Sequence, residues 1–292
     1  MRVHLVDGTF ELFRAHFTKR PPHRDREGRD AKATQGVAWS MLSLLKDPAE
    51  RATHVAVAFD NPIRSFRNEL YAGYKTEEGV PAELLAQFDR AEEACAALGL
   101  VVWRMDRWEA DDALATGAAR FAAGAEQVRI LTPDKDLGQC IEGTRVVQVD
   151  VIRKRVIDEE ALRLRRGIGP LQIPDFLALV GDDADGYPGL PGFGEKTAAA
   201  LLAAFGRIEE IPADPKRWPA SVRGSLSLAA TLASRREEVL LYRTLATLIR
   251  DVPLREGLAD LEWRGVPRAR FEDLCASLAA PGLLNQVPRW AG

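Results

Sequence analysis

Apolar and polar positions along this chain fall into two regimes. As far as about residue 164, short apolar runs alternate with longer stretches of helical period. The runs are Val3-His-Leu-Val6, His54-Val-Ala-Val-Ala-Phe59, Leu100-Val-Val-Trp103, residues 127–131 and residues 144–149, each the length of a buried strand. Between them, residues 10–17 read as a turn or short helix, 33–45 as a helix, 81–98 as a helix started by Pro81, and Glu109 opens another. Strands alternating with helices predict an α/β fold with a mainly parallel central sheet flanked by helices. Beyond residue 164 the pattern changes. Gly167, Gly169 and Pro170 interrupt the chain, and the remainder reads as helices over about 171–180, 194–205, 225–249 and 267–279. The expected division is an α/β domain over 1–165 and a helical domain over 166–292.

Composition narrows the class. With 292 residues, 46% hydrophobic and 28% charged, the chain has ample core for one large domain or two ordinary ones. No run approaches the roughly 18 apolar residues of a membrane span, and the N-terminus enters a strand directly, with no signal-peptide pattern. Three cysteines (Cys95, Cys140, Cys275) and four scattered histidines suit neither a disulfide framework nor a zinc site. A cytoplasmic protein is expected, and any metal it holds should be hard and oxygen-bound. The net charge of −3 argues against nucleic-acid binding only if every acid is free. Acids neutralised by metal would leave the rest of the chain net positive, so charge excludes nothing here.

The acids are placed unusually. Asp7, Asp60 and Asp134 each follow an apolar run, and groups just past the carboxyl ends of parallel strands share one crevice. Glu109, Asp111 and Asp112 cluster at a helix start, Asp134 and Asp136 are two apart, and Asp182 and Asp185 lie in the helical part. Any one of these could be a helix-start or turn residue, and Asp112 fits that role best. Together, without balancing arginines, they would repel one another unless cations intervene. Carboxylate-rich sites poor in His and Cys suit Mg²⁺ or Mn²⁺. Two such ions are the usual arrangement for phosphodiester hydrolysis, one generating the attacking hydroxide and the other stabilising the leaving oxygen.

Two further stretches carry positive charge or unusual backbone. Residues 19–32 hold seven basic or histidine positions against Asp25, Glu27 and Asp30, either a solvated loop or a line of phosphate contacts. Between Gly186 and Gly194, four glycines and two prolines mark an exposed turn.

Taken in order, these signatures resemble the flap endonuclease superfamily, in particular the 5′–3′ exonuclease domain of bacterial DNA polymerase I. The matching segments are Leu5-Val-Asp7-Gly8; Phe59-Asp60 with Ser65-Phe66-Arg67 and Gly73-Tyr74-Lys75; Glu109-Ala-Asp111-Asp112; Ile130-Leu-Thr-Pro-Asp134-Lys-Asp136-Leu; and Gly181-Asp182 through Asp185 with Gly192-Phe-Gly194-Glu-Lys196-Thr197. The resemblance implies a resolvase/PIN-like sheet domain plus a helical domain with a helix–two-turn–helix hairpin. It implies that Asp7, Asp60, Glu109 and Asp111 build one metal site, with Asp112 beside them. Asp134, Asp136, Asp182 and Asp185 would build the other. Lys75 and Arg67 would meet the scissile phosphate, Arg14 the 5′ strand, and Gly192, Gly194 and Lys196 the duplex, where turn carbonyls hold K⁺. A monomer acting on flapped, nicked or gapped DNA follows. Glu78, next to Glu77, stands where the family often carries a second basic residue, and Phe13 stands in place of a tyrosine. The chain reaches Gly292 with no polymerase sequence following, which reads as a stand-alone nuclease.

Three rivals remain on the residues alone. A flap-binding protein of the same fold with decayed catalysis would lack some of the eight principal acids, and all eight are filled. A small-molecule phosphohydrolase built on Val6-Asp7-Gly8-Thr9 would want an acid where Thr9 stands. An RNA-cleaving nuclease would share the acidic sheet edge but not the glycine-rich hairpin.

Overall fold

The computed structural model describes all 292 residues, which form two compact units, both discontinuous in sequence. The first comprises Met1–Arg64, Glu77–Thr132 and Arg250–Gly292; the second comprises Ser65–Thr76 and Pro133–Ile249.

In the first unit, strands β1 (Arg2–Asp7), β2 (His54–Asp60), β3 (Val101–Met105) and β4 (Gln127–Leu131) run parallel in the order β3-β2-β1-β4. Their middles are almost wholly buried: Val3, Leu5, Ala56, Val57, Phe59, Val128 and Ile130 are all at 0–1% exposure, as near-continuous apolar runs covered on both faces should be. The strands pair with Val3 opposite His54 and Val6 opposite Leu131. This register brings the ends of β1 and β2, and with them Asp7 and Asp60, to one sheet edge. Helices α1 (Gly8–Phe17) and α2 (Lys32–Lys46) follow β1.

The helix expected over 81–98 is interrupted. Its two pieces are Ala82–Leu85 and α5 (Phe88–Ala97), with α3 (Arg67–Leu70) and the first piece, α4, being single turns. Gln87 sits at the break, with φ −101° and ψ −5°, and its buried side chain has another task. Gln87 Oε1 accepts from the backbone N–H of Ala33 and Thr34, at 3.0 and 3.1 Å, supplying the cap that Ala31 does not give α2. Helix α6 (Ala110–Phe121) precedes β4, and α12 (Arg268–Ser277) belongs to the C-terminal segment of this unit.

Several groups of the basic 19–32 loop are paired. Asp25 accepts from Arg29 and Arg90, and Lys32 Nζ donates to the carbonyls of His16 and Thr18, at 2.6 and 2.7 Å.

The second unit holds the antiparallel pair β5 (Val146–Asp150) and β6 (Arg155–Ile157), then α7 (Glu159–Arg166), α8 (Ile173–Val180), α9 (Glu195–Phe205), α10 (Ser225–Ser234) and α11 (Arg236–Ala246). Strand β6 was not visible in the apolar pattern, because two of its three residues are exposed. The single helix expected over 225–249 is two, divided at Arg235 (φ −115°, ψ 29°). The core gathers Phe176, Leu177, Leu201, Leu202, Tyr187 and Tyr242, with Tyr187 stacked on Tyr242 at 5.6 Å between ring centroids. The 65–76 segment joins this core through Tyr74 and through Tyr71, whose ring meets Tyr242 edge-on at 5.9 Å.

Candidate metal centre

Each unit carries its own group of acids. In the first, Asp7 ends β1 and caps α1: one carboxylate oxygen accepts from Phe10 N–H at 2.8 Å and the other from the Thr132 hydroxyl at 2.9 Å. Asp60 ends β2, accepts from Ala110 N–H at 2.7 Å, and donates its own N–H to the Thr9 hydroxyl at 2.8 Å. Glu109 is the N-cap of α6 and forms a reciprocal capping box with Asp112, whose carboxylate accepts from Glu109 N–H at 3.0 Å. Asp112 is thereby tied to the helix start and fully buried, whereas Asp111 is half-exposed. Helix starts favour negative charge, since the dipole and unpaired N–H groups face it. Local structure therefore collects these acids at the edge where β1 and β2 end.

In the second unit, Asp136, Asp182 and Asp185 each place one carboxylate oxygen so that all three lie within 4.8 Å of one another. Asp134 shapes the approach: its Oδ1 accepts from Asp136 N–H at 2.9 Å, and Gln148 donates to its carbonyl. Asp182 Oδ1 accepts from Ala184 N–H at 3.0 Å, and Asp182 backbone groups close the turn with Gly186 and Tyr187. Two glycines make that turn possible. A Cβ on Gly181 (φ +89°) would lie 2.4 Å from the Pro188 carbonyl carbon, and one on Gly189 (φ +67°) 2.3 Å from Gly181 N. The chain thus crosses itself backbone to backbone beneath Asp182 and Asp185.

Two lysines reach these acids. Lys75 Nζ is 3.1 Å from Asp185 Oδ1, and Lys75 N–H donates to the Asp185 carbonyl at 3.1 Å. Lys135 Nζ is 2.7 Å from Asp182 Oδ2. Asp136 fares differently. It is buried, its Oδ1 has no hydrogen-bond partner, and burial, followed by Asp134, Asp185 and Asp182, pushes its carboxyl well above the usual range. An orphaned buried oxygen facing two further carboxylates is costly unless a cation or proton joins them. The donor set is oxygen only and anionic, which fits a hard divalent cation.

The remaining expected residues are placed as follows. Arg14 lies on α1, its Nη2 on Glu11 and, at 3.0 Å, on Ser40 Oγ. Gly192 (φ +88°), Gly194, the N-cap of α9, and Lys196 are exposed at the start of that helix. Arg67 is at 0% exposure. Its Nε donates to the Leu245 carbonyl at 2.8 Å and its Nη2 to that of Thr247 at 3.0 Å. The guanidinium of Arg67 ties the 65–76 segment to the end of α11, and Lys75 reaches Asp185. Glu77 is half-buried, accepting from Ile63 and Arg64 N–H at 3.1 and 3.3 Å. Thr9, Thr132 and Lys135 were missed by sequence reasoning as parts of these groups. Their only signal is a hydroxyl or amine next to a strand-end acid.

Comparison with known proteins accords with this architecture. Residues 2–167 match the family model of the 5′-3′ exonuclease N-terminal resolvase-like domain, and residues 168–269 that of the 5′-3′ exonuclease C-terminal SAM fold. The chain belongs to the 5′-3′ exonuclease family. It is 33% identical over 289 residues to DNA polymerase I of Bacillus caldotenax, covering 97% of this chain and 32% of that protein. It is 38% identical over 253 residues to DNA polymerase I of Pseudomonas aeruginosa, covering 86% and 27% respectively. The chain therefore spans about a third of these relatives' length. With the 5′-3′ exonuclease of Aquifex aeolicus it shares 29% identity over 288 residues, covering 98% of this chain and 95% of that one. The fold is shared with T5 5′-exonuclease, solved with bound zinc (TM-score 0.68, 18% identity, 98% and 99% of the two chains). It is also shared with the catalytic core of Rad2, solved with DNA substrate (TM-score 0.59, 15% identity, 98% and 89%). No helix is long and apolar enough to cross a membrane.

Proposed function

We propose that this protein is a divalent-metal-dependent, structure-selective 5′ nuclease that hydrolyses phosphodiesters of flapped, nicked or gapped DNA. The observation that carries the reading is the unpartnered, buried carboxylate of Asp136 with Asp182 and Asp185 around it. Asp136, Asp182 and Asp185, with Asp134, would hold one Mg²⁺ or Mn²⁺. Asp7, Asp60, Glu109 and Asp111 would hold a second, and Asp112 would fix the helix start that aims them. When bound, such cations neutralise charge on the phosphoryl oxygens and acidify a water. The chain's own groups do the rest. Asp134 accepts from the N–H of Asp136 and so steadies the turn that presents it, and Lys75, beside Asp185, would present its charge to the phosphate.

Within this reading, residues 1–165 supply most of the catalytic groups, and 166–292 add Asp182 and Asp185 and hold the duplex. Exposed Gly192, Gly194 and Lys196 at the start of α9 suit a phosphate approaching backbone N–H groups, and carbonyls of the same turn suit K⁺. Arg14 is a further DNA contact. The protein would act as a monomer in the cytoplasm, in replication and repair; its three free cysteines are buried, in keeping with a reducing compartment. The contacts would be mainly to phosphates, giving low sequence specificity and strong salt dependence.

A 5′-labelled flap duplex incubated with Mg²⁺ or Mn²⁺ tests this. Cleavage is expected with the native chain, and Asp134→Ala combined with Asp136→Ala should abolish it. Cleavage that persists in the double variant, or that survives chelation of divalent cations, overturns the assignment.

A further inference from the structure

Next to the acidic cluster of the second unit lies a cavity of about 280 Å³ whose lining includes four cationic side chains, Lys135, Arg153, Arg165 and Arg166, together with Asp134 and Asp182. Two of the four cations are already matched. Lys135 is paired with Asp182 at 2.7 Å, and Arg153 with Asp150 at 2.9 Å.

Arg165 and Arg166 differ. Neither forms an ion pair or a hydrogen bond through its side chain. Arg165 is exposed and Arg166 half-buried; the guanidinium of Arg166 has only the ring of Phe176 beneath it, at 5.6 Å. Burial and then the neighbouring charge of Arg165 disfavour its charged form, while Glu195, Asp136 and Asp134 favour it from beyond pairing distance.

Both arginines lie in the last turn of α7, where the helix dipole favours cations. That accounts for basic residues at this helix end. It does not account for two adjacent unpaired guanidiniums lining one cavity, because Arg163 in the same turn is paired with Glu159 at 2.8 Å. A half-buried guanidinium without a partner, beside a second unpaired one at the mouth of the same cavity, is what an anion site looks like before its anion arrives.

We propose that Arg165 and Arg166 form a phosphate pocket that holds one phosphate group of the DNA strand on which the adjacent acids act. The proposal rests on the nuclease reading above and adds a positioning site to it. The planar fork of arginine suits two oxygens of one phosphate, and such a contact sets the register of the strand without reading its sequence. The phosphate is either an internal diester or a 5′-terminal monoester.

The test uses the full chain and fluorescence anisotropy on a labelled flap duplex, with the salt concentration varied. Arg165→Gln and Arg166→Gln should each weaken binding roughly three- to tenfold, and each should make the slope of log K against log salt shallower by about one. Arg163→Gln should leave both quantities unchanged. Arg166→Lys should restore the slope, since it keeps the charge and loses only the fork. Single uncharged methylphosphonate linkages placed along the strand identify the contact: at one linkage the native chain should lose affinity and Arg166→Gln should lose no more. Paired duplexes with 5′-phosphate and 5′-hydroxyl ends separate the monoester from the diester, the former giving the arginine effect only with the phosphorylated end. Unchanged slopes in both Gln variants, with cleavage and binding otherwise intact, overturn the pocket alone. A native chain that neither binds nor cuts any of these duplexes overturns the nuclease reading and the pocket with it.

Discussion

At the scale of single residues, the acids are held by groups whose own chemistry is modest. Thr132 is the clearest case: its buried hydroxyl donates to Asp7 at 2.9 Å, orienting a carboxylate that also caps α1. Thr132→Val keeps the shape and removes the donor. It should weaken activation by divalent cation roughly tenfold, the low end of what orienting groups contribute to metal affinity, and cost about 1 kcal/mol of stability. Metal titrations of cleavage rate, together with thermal melts, check this; unchanged metal dependence would make the hydroxyl merely a filler. Arg67 teaches the converse lesson. Nothing in Ser65-Phe66-Arg67 announces that this guanidinium also bonds two backbone carbonyls at the end of α11, nearly 180 residues away in sequence.

At the scale of elements, the turn from Gly181 to Gly189 determines where Asp182 and Asp185 stand. Backbone passes so close to backbone that neither glycine has room for a Cβ, and both adopt positive φ. Gly189→Ala is therefore expected to destabilise the protein by about 2 kcal/mol or more and to lower cleavage beyond what lost stability explains, because the aspartates shift with the turn. Denaturant unfolding alongside cleavage at a temperature where the variant is still folded separates the two effects. The same scale explains the two interrupted helices. Helical period continues through Gln87 and Arg235, so pattern alone joins the pieces. At Gln87 the helix gives way because its buried amide caps a different helix, a contact made across more than 50 residues.

At the scale of the whole molecule, acid sensitivity can be argued from a network far from the acidic edge. Glu50 joins His4 on β1, at 3.0 Å, to Arg129 on β4, at 2.7 Å. The His4 hydrogen bond, followed by Arg129, holds the Glu50 carboxyl down at about 2 against a usual 4.5. A depressed carboxylate stabilises the fold fully above its ordinary value, and that contribution disappears as pH falls from about 4.5 towards 2. Burial lowers the pKa of His4, so unfolding also takes up a proton there as pH drops below about 6.5, the same direction of effect. Glu50→Gln should thus be less stable than the native chain by a constant amount above about pH 5.5, with the gap closing below about pH 4. Urea midpoints across that range would show it, and a gap independent of pH would refute the network's role.

The order of elements and the chemical type of the site were legible in the sequence because both depend on local rules. Buried parallel strands appear as unbroken apolar runs, and acids at strand ends and helix starts are placed by chain direction and the helix dipole. What the sequence could not reveal were pairings between distant residues. These include the capping of α2 by Gln87, the burial of Arg67 against α11, the return of residues 65–76 to the second unit and 250–292 to the first, and the two unpaired arginines at the end of α7. Each depends on which groups meet in space, and a side chain's partner decides whether the same residue type is a clamp, a ligand or an open binding group. Tertiary structure alone settles that choice, because it fixes which polar groups lose water and what replaces it.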